Sequence, residues 1–329
     1  MIRRCRAHMK ISKVQTFRAL AIIAVVMIHT TPEGVCQVFI KPFINFAVAT
    51  FLFISGYLTS AENHNWIIFY RKRIIRVLIP YLIWTIIYSI SDFRYNGFVG
   101  LAKNLLSANA TTTLYYIFVY IQFVLLTPLL LRLARSRYRY IGWLIAPMSV
   151  IIFKYIPSFG YLPIDKNIQL FWSDSCLGWF TFYYLGLILG NKIIGRKFKL
   201  GNLIFLYCLS VLLQISEGYI WCVSDMAGCG SQLKLTSILS SAIFLLIIYT
   251  ILENDNYKMQ CQTMEIIGDY SFGIYLSHMM ILKVFEDIPF YEEIPYPITS
   301  LIVLLFSLAL CYMCTLAIGK KVGRWCGFI

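Results

Sequence analysis

Charged residues are scarce in this chain. Asp, Glu, Lys and Arg make up 13% of its 329 residues, whereas hydrophobic residues make up 59%. This balance excludes an ordinary soluble globular domain, in which about a quarter of the residues are charged. We therefore expect an all-α, polytopic membrane protein whose residues 1–329 form a single integral-membrane domain.

The sequence also lacks the motifs of several enzyme and binding classes. It contains no G-x-S-x-G, P-loop or G-x-G-x-x-G motif, which argues against soluble hydrolases, NTPases and dinucleotide-dependent enzymes. Its basic residues lie in short loops and no recognition module is visible, so we expect no nucleic-acid binding. The chain has only four histidines, and the two within apolar segments have no third ligand at a suitable spacing. We therefore expect no metal.

The cysteines do not form a disulfide framework. Cys311 and Cys314 make a C-x-x-C inside the last apolar segment, where we expect both to act as small packing residues. Cys222 and Cys229 flank a predicted external loop and could pair in an oxidising compartment. The sequence leaves that pairing open.

Long apolar runs, by contrast, fill the chain. They predict about ten transmembrane helices, because a bilayer needs about 20 apolar residues for each crossing. The stretch at 92–112 is predicted to be an external loop. The apolar windows lie near 15–32, 42–59, 74–91, 113–131, 140–153, 175–194, 202–221, 235–252, 267–284 and 298–318.

The basic residues set the orientation, because short loops rich in Lys and Arg stay in the cytoplasm. With the N-terminus inside, the cytoplasmic segments hold 22 of the 29 Lys and Arg residues. We therefore predict that both termini are cytoplasmic and that the protein is a multi-pass protein of the cell (cytoplasmic) membrane. Attraction to anionic lipids accounts for much of the basic charge. The seven Lys and Arg residues on the predicted outer side are Lys41, Arg94, Lys103, Lys154, Lys166, Lys234 and Lys283.

The first apolar run carries two ionisable residues. Arg18 and His29 are separated by ten apolar residues. In a helix, this spacing returns to within about 20° of the starting direction and climbs about 16 Å. The pair is either one wall of an active site, with an anion clamp and a proton acceptor, or a snorkelling arginine and a hydrogen-bonded core histidine. Ionisable groups at membrane depth favour a functional role.

Polar residues also occur at defined positions in other helices. Arg73 and Arg76 share one helix face and point either at lipid headgroups or at a ligand phosphate. In the fourth apolar segment, Tyr115 is either a functional residue or part of an interfacial aromatic belt. Gln122 lies deeper in that segment and therefore needs a polar partner.

A second intramembrane histidine lies in the ninth segment. Tyr275 and His278 are three residues apart, so they share one helix face, with His278 at about mid-depth. A pair of buried histidines could also line a polar pathway through the membrane.

These segments together resemble a known family. The matching elements are Arg18-x10-His29, Phe51 to Leu58, Arg73 with Arg76 and Pro80, Thr127-Pro128-Leu129, and Gly268 to His278. In this order they resemble the acyltransferase 3 family, integral-membrane enzymes that typically O-acylate extracytoplasmic glycans with acyl-CoA from the cytoplasm. The resemblance extends from about Lys13 to the last helix.

The resemblance implies that His29 is the catalytic histidine and that Arg18 supports the bound coenzyme, with Arg73 and Arg76 as further coenzyme-binding residues. It implies acetyl-CoA or another acyl-CoA as co-substrate, and a bacterial glycan or polysaccharide as the acceptor of O-acetylation. A neutral imidazole can take the proton of the acceptor hydroxyl or carry the acyl group itself. Candidates for substrate contacts or structural support are Tyr115, Gln122, Tyr275 and His278.

Two other classes remain open. In a transporter or flippase of a lipid-linked or polysaccharide intermediate, His29 and His278 would line a polar pathway. No internal duplication of the kind common in transporters is evident in the sequence. In a sensor or anchor, the fold would serve a separate partner chain. A homo-oligomer is compatible with all three classes.

Overall fold

The computed structural model describes residues 2–60, 65–108, 110–161, 165, 168, 172, 174–195, 198–224, 228–291 and 293–329, with the side chains of 2–8 and 91–96 excluded. The predicted outer-side residue Lys166 and the side chain of Arg94 therefore lie outside the described part of the chain.

The described residues form helices and connecting turns, without a β-strand. This confirms the predicted all-α class. A short 3-10 segment, Lys41–Phe43, links the second and third helices, and a π-helical turn, Ile151–Tyr155, lies within the sixth. The helices are α1 Ile2–Thr30, α2 Val35–Ile40, α3 Phe46–Tyr57, α4 Trp66–Ser107, α5 Tyr115–Arg135, α6 Ile145–Ser158, α7 Phe180–Gly190, α8 Leu200–Val223, α9 Leu235–Glu253, α10 Gln262–Asp269, α11 Ser271–Glu286 and α12 Ile298–Trp325.

Among the described residues, seven helical segments are long and apolar enough to cross a membrane. All ten predicted windows coincide with helices, but those at 140–153, 175–194 and 267–284 fall on helices shorter than 18 residues. The protein is therefore a multi-pass helical membrane protein. The total of ten crossings and the cytoplasmic location of both termini stay predictions. The seven segments are Met9–Thr30, Val35–Tyr57, Trp66–Ile90, Tyr115–Arg135, Leu200–Val223, Leu235–Glu253 and Ile298–Trp325.

The prediction of a loop at 92–112 is wrong over most of its length, because the segment is helical, whereas its external location stays a prediction. Helix α4 continues to Ser107, with one non-helical residue, Gly97, at φ 54° and ψ −148°. The amide of Asn104 donates to Ser89 Oγ at 3.0 Å, and the Tyr81 hydroxyl donates to the carbonyl of Leu105 at 2.7 Å. Glycine adopts positive φ without a Cβ penalty. The chain therefore turns at Gly97 and folds back along its own helix.

The chain divides into two compact units. Unit 1 comprises Met1–Glu62 and Leu126–Gly268, and unit 2 comprises Asn63–Leu125 and Asp269–Ile329. The single integral-membrane domain expected from the sequence stays a prediction.

Glycines bring the backbones of α3 and α7 into contact in unit 1. A Cβ on Gly186 would lie 2.2 Å from the carbonyl oxygen of Phe53, and one on Gly56 would lie 2.3 Å from that of Tyr183. Small residues promote close packing of membrane helices, where apolar burial between helices adds little. Gly56 and Gly186 therefore allow the two helix backbones to pack directly against each other.

The C-terminal tail is packed into unit 2. The indole nitrogen of Trp84 donates to the carbonyl of Cys326 at 3.1 Å, and a Cβ on Gly273 would lie 2.5 Å from the carbonyl oxygen of Phe328. Gly327, at φ 79°, supplies the left-handed turn between them. The tail after α12 therefore packs against both α4 and α11.

Candidate active site

Helix α1 in unit 1 carries Arg18 and His29. The helix is continuous from Ile2 to Thr30, so the spacing of eleven positions places both residues near one face, about 16 Å apart along the axis. Both side chains are half-buried. His29 lies in the last turn of α1. The structure therefore confirms the helical geometry on which the sequence argument rests.

Arg18 is oriented from within its own helix. Its guanidinium donates to Gln15 Oε1 at 3.1 Å, one turn earlier. At that level α10 crosses α1, since a Cβ on Gly268 would lie 2.2 Å from the carbonyl oxygen of Gln15. Gly268, the first residue of the Gly268–His278 motif, therefore allows α10 to pack directly against the turn that orients Arg18.

Two lysines attach the first turns of α1 to the end of α9. Lys13 is 1% exposed and donates to the carbonyls of Ile251 and Asn254 at 2.9 and 2.8 Å. Lys10 pairs with Glu253 Oε1 at 3.0 Å, and the same oxygen accepts the hydroxyl of Tyr57. From the sequence alone, these lysines have no role beyond membrane topology. Their partners lie about 240 positions further along the chain, so no local sequence pattern predicts these contacts.

Tyr275 in unit 2 is anchored to the start of α5. Its ring is 8% exposed, and its hydroxyl donates to the carbonyl of Thr113. The ring of Tyr116 packs edge-on against it with centroids 5.6 Å apart. Tyr275 therefore lies in a tyrosine-rich environment, with its hydroxyl engaged by a backbone carbonyl.

His278 is the most enclosed of the candidate residues. It is 0% exposed, and its ring centroid lies 6.3 Å from that of Tyr275. Nδ1 lies 3.0 Å from the carbonyl of Ile274. A carbonyl only accepts, so Nδ1 carries the proton, and in the neutral ring Nε2 is an acceptor.

Tyr88 was not anticipated from the sequence. Its hydroxyl donates to the carbonyl of Leu276 at 2.7 Å and accepts the amide of Met280 at 3.1 Å. These two groups are an ordinary i to i+4 helical pair, so the hydroxyl is inserted into the hydrogen-bond ladder of α11 on either side of His278. An apolar sequence context around Tyr88 gives no signal for such a contact.

The remaining candidates also belong to unit 2. Arg73 is half-buried with its guanidinium 5.0 Å from the centroid of the Phe69 ring, whereas Arg76 is exposed. Tyr115 begins α5, and Gln122 follows two turns later; both are half-buried.

Cys222 and Cys229 are free thiols in the structure. Cys311 is buried with Sγ 3.8 Å from Ser277 Oγ, which confirms its packing role. The described part of the chain contains no group of three or more His, Cys, Asp or Glu side chains that could hold a metal ion.

Thus far, the fold and the residues define a polytopic helical membrane protein with an arginine and a histidine on its first helix. Residues 11–316 match the acyltransferase domain of the acyltransferase 3 family. The chain therefore belongs to that family, as the sequence resemblance predicted, and is a membrane acyltransferase. No curated protein and no solved structure matches it in the same comparisons.

Proposed function

We propose that this protein transfers an acyl group, most simply acetyl, from cytoplasmic acyl-CoA to a hydroxyl of an extracytoplasmic or exported glycan. The observation that carries the proposal is the unbroken helix α1, which holds Arg18 and His29 on one face in a chain that belongs to an acyltransferase family. This geometry suits a donor with an anionic head and a long flexible thioester arm.

Arginines supply the donor-binding part of the proposal. The guanidinium of Arg18 is pre-oriented by Gln15, and such a group binds phosphate through charge-assisted hydrogen bonds. Arg73 and Arg76 are the second set of cationic candidates. The coenzyme arm would then extend along α1 toward the turn that contains His29.

In the chemical step, the acyl group moves from the thioester of the coenzyme to an oxygen ester of the acceptor. The acceptor hydroxyl attacks the thioester carbonyl while the neutral imidazole of His29 takes its proton. The C–S bond then breaks, the new C–O ester bond remains, and the proton returns to the coenzyme sulfur. In the alternative sequence, the imidazole nitrogen attacks the thioester, the C–S bond breaks and the coenzyme leaves as the thiol. The acyl group then passes from the imidazole to the acceptor hydroxyl, whose proton goes to the freed imidazole.

The decisive experiment uses purified protein in nanodiscs, [¹⁴C]acetyl-CoA and a panel of bacterial glycans. We expect label in the glycan with wild-type protein, and a loss of 10²-fold or more with His29→Ala, on the order of a general base contribution. Hydroxylamine-sensitive label on the protein without glycan would identify the acyl-histidine route. Undiminished transfer by His29→Ala would refute the proposal.

Coenzyme binding gives a separate test of Arg18. Replacing it with alanine should weaken acetyl-CoA binding about tenfold or more, because a charge-assisted hydrogen bond contributes about 1.5–3 kcal/mol. Lys258→Ala is the matched control, since Lys258 is an exposed cation on the same predicted side of the membrane. Equal affinities of Arg18→Ala and wild type would separate Arg18 from coenzyme binding.

A further inference from the structure

Three lysines of unit 1 gather around residues 228–234. Lys234 Nζ donates to the carbonyl of Cys229. A Cβ on Gly228 would lie 3.2 Å from Lys154 Nζ, and one on Gly230 would lie 2.5 Å from Lys41 Cδ. Lys154 and Lys234 are close enough for their charges to repel each other. We call Lys41, Lys154 and Lys234 the lysine cluster.

The positive-inside rule does not account for the lysine cluster. All three residues belong to the seven that the sequence places on the outer side, where basic residues contribute nothing to retention in the cytoplasm. Lys234 is 1% exposed, and burial lowers the pKa of its ammonium group. A buried cation has a high desolvation cost unless an anion accompanies it.

Two described carboxylates, Glu217 near Lys154 and Lys234 and Glu33 near Lys41, compensate the three lysine charges only in part. No described carboxylate forms an ion pair with any of the three lysines, since the ion pairs of this part of the chain join Lys10 and Lys192 to Glu253. The nearby carboxylate of Glu217 accepts both the amide and the hydroxyl of Thr236 through Oε2. The cluster is therefore suited to an oxyanion from outside the chain.

Neutral hydrogen-bonding groups accompany the cations. Gln214 is 0% exposed, and its Nε2 has no partner within the described residues. It lies one turn before Gly218, where a Cβ would be 3.1 Å from Lys234 Nζ. Glu217 Oε1 and Gln232 Oε1 are likewise buried acceptors without a described partner. Buried polar groups normally have partners, and a sugar supplies both hydroxyl donors and acceptors.

The lysine cluster lies at the same end of unit 1 as His29. Lys13 bonds the carbonyl of Ile251 near the end of α9. From there, sixteen residues along α1 lead to His29, and sixteen residues back along α9 lead to Leu235, a rise of about 24 Å in both helices. Helix α2, which precedes Lys41, begins six residues after His29.

We propose that the lysine cluster binds an oxyanion, carboxylate or phosphate, of an acidic glycan acceptor and so selects the substrate presented to His29. The substrate assignment rests on the proposed function. A surface lipid headgroup site is the less suitable interpretation, because Lys234 is enclosed between α8 and α9, whereas lipid-binding basic segments are exposed at the membrane surface.

The test measures glycan binding in nanodiscs of phosphatidylcholine, without acyl-CoA. The probes are hexagalacturonate and neutral maltohexaose. We expect saturable binding of hexagalacturonate that weakens at high salt, and at least tenfold tighter than that of maltohexaose. Lys154→Gln and Lys41→Gln should each weaken it at least fivefold, whereas Lys103→Gln, an exposed lysine on the same predicted side, should leave it unchanged.

A second measurement needs no substitution. Wild-type protein is acetylated with sulfo-NHS-acetate with and without hexagalacturonate, and the modified lysines are mapped by mass spectrometry. We expect Lys41 and Lys154 to be protected and Lys103 to be modified equally in both samples. Charge-retaining Lys154→Arg should keep most of the binding, which distinguishes a lost charge from a misfolded variant.

Several outcomes would overturn the inference. These are absence of hexagalacturonate binding, equal binding of maltohexaose, or protection of Lys154 by phosphatidylglycerol nanodiscs alone, which would identify a lipid headgroup site. Failure of the proposed function would look different. Hexagalacturonate would bind through the lysine cluster, but no [¹⁴C]acetyl would reach any glycan.

Discussion

Each unit provides an example of a different kind of close helix contact. In unit 1, glycines bring helix backbones into contact, as between Gly186 and Phe53. In unit 2, aromatic side chains bond to backbone groups, as Tyr88 does in α11 and Trp84 does at Cys326. In unit 2 the hydrogen-bonded aromatic residues hold α11, which carries His278, in place.

The two intramembrane histidines follow this contrast. His29 is half-buried in the last turn of α1, a position that allows its ring to meet a substrate. His278 is 0% exposed, with Nδ1 fixed on the carbonyl of Ile274. This difference in exposure supports our proposal of proton transfer for His29, and we propose a positioning or structural role for His278.

Disrupting the glycine packing should have the largest effect. Gly186→Leu places a side chain against the Phe53 carbonyl, where a Cβ alone would be 2.2 Å away, and backbone cannot yield as a flexible side chain can. We expect loss of folded protein in size-exclusion chromatography of a fluorescent fusion. Gly201→Leu is the control, because nothing lies within 4 Å of its Cβ position. A monodisperse Gly186→Leu protein would refute the packing argument.

The histidines should separate stability from activity. His278→Ala removes a fully buried ring and should lower the free energy of unfolding by about 2–3 kcal/mol, as large-to-small core changes do. His29→Ala should change it by less than about 1 kcal/mol. The measurement is denaturation in SDS followed by tryptophan fluorescence. A larger loss of stability in His29→Ala would reverse the assignment of roles.

Removing one hydroxyl should have a smaller effect. Tyr88→Phe should cost about 1 kcal/mol, because Met280 and Leu276 can then bond to each other directly in α11. Tyr70→Phe is the control, since its hydroxyl makes an exposed contact to the Leu125 carbonyl at 3.3 Å. The same SDS titration checks both. Equal stability of the two variants would show that the hydroxyl inserted in α11 contributes nothing.

The ion pair at the end of α9 should contribute least. Glu253→Gln removes the charge that meets Lys10 at 3.0 Å, where the side chains are 29% and 45% exposed. Exposed ion pairs contribute about 0.2–1 kcal/mol and are screened by salt. We expect a loss in that range at low salt that largely disappears in 0.5 M NaCl. A salt-independent loss would point to the Tyr57 hydrogen bond instead.

The sequence predicts the features that depend on neighbouring residues. The unbroken apolar run from Ala19 to Ile28 indicates a helix, so the relation of Arg18 to His29 follows from helical geometry alone. The same holds for Gly56 and Gly186, whose lack of a side chain allows close approach in any packing.

Features decided by distant contacts could not be predicted. The turn at Gly97 depends on Tyr81 bonding to Leu105 after the chain has folded back. The lysine cluster depends on helices that bring Lys41 and Lys154 to the same loop. Neither contact has a local pattern, because each joins residues from separate parts of the chain.

The central claim is that the imidazole of His29 takes the acceptor proton. Chemical rescue tests it most directly: His29→Ala protein is assayed for [¹⁴C]acetyl transfer with and without added imidazole. The account predicts that His29→Ala protein transfers almost no acetyl without imidazole, and that its activity rises with imidazole concentration. Added imidazole should not raise the activity of His278→Ala protein. Full activity of His29→Ala without imidazole would contradict the claim.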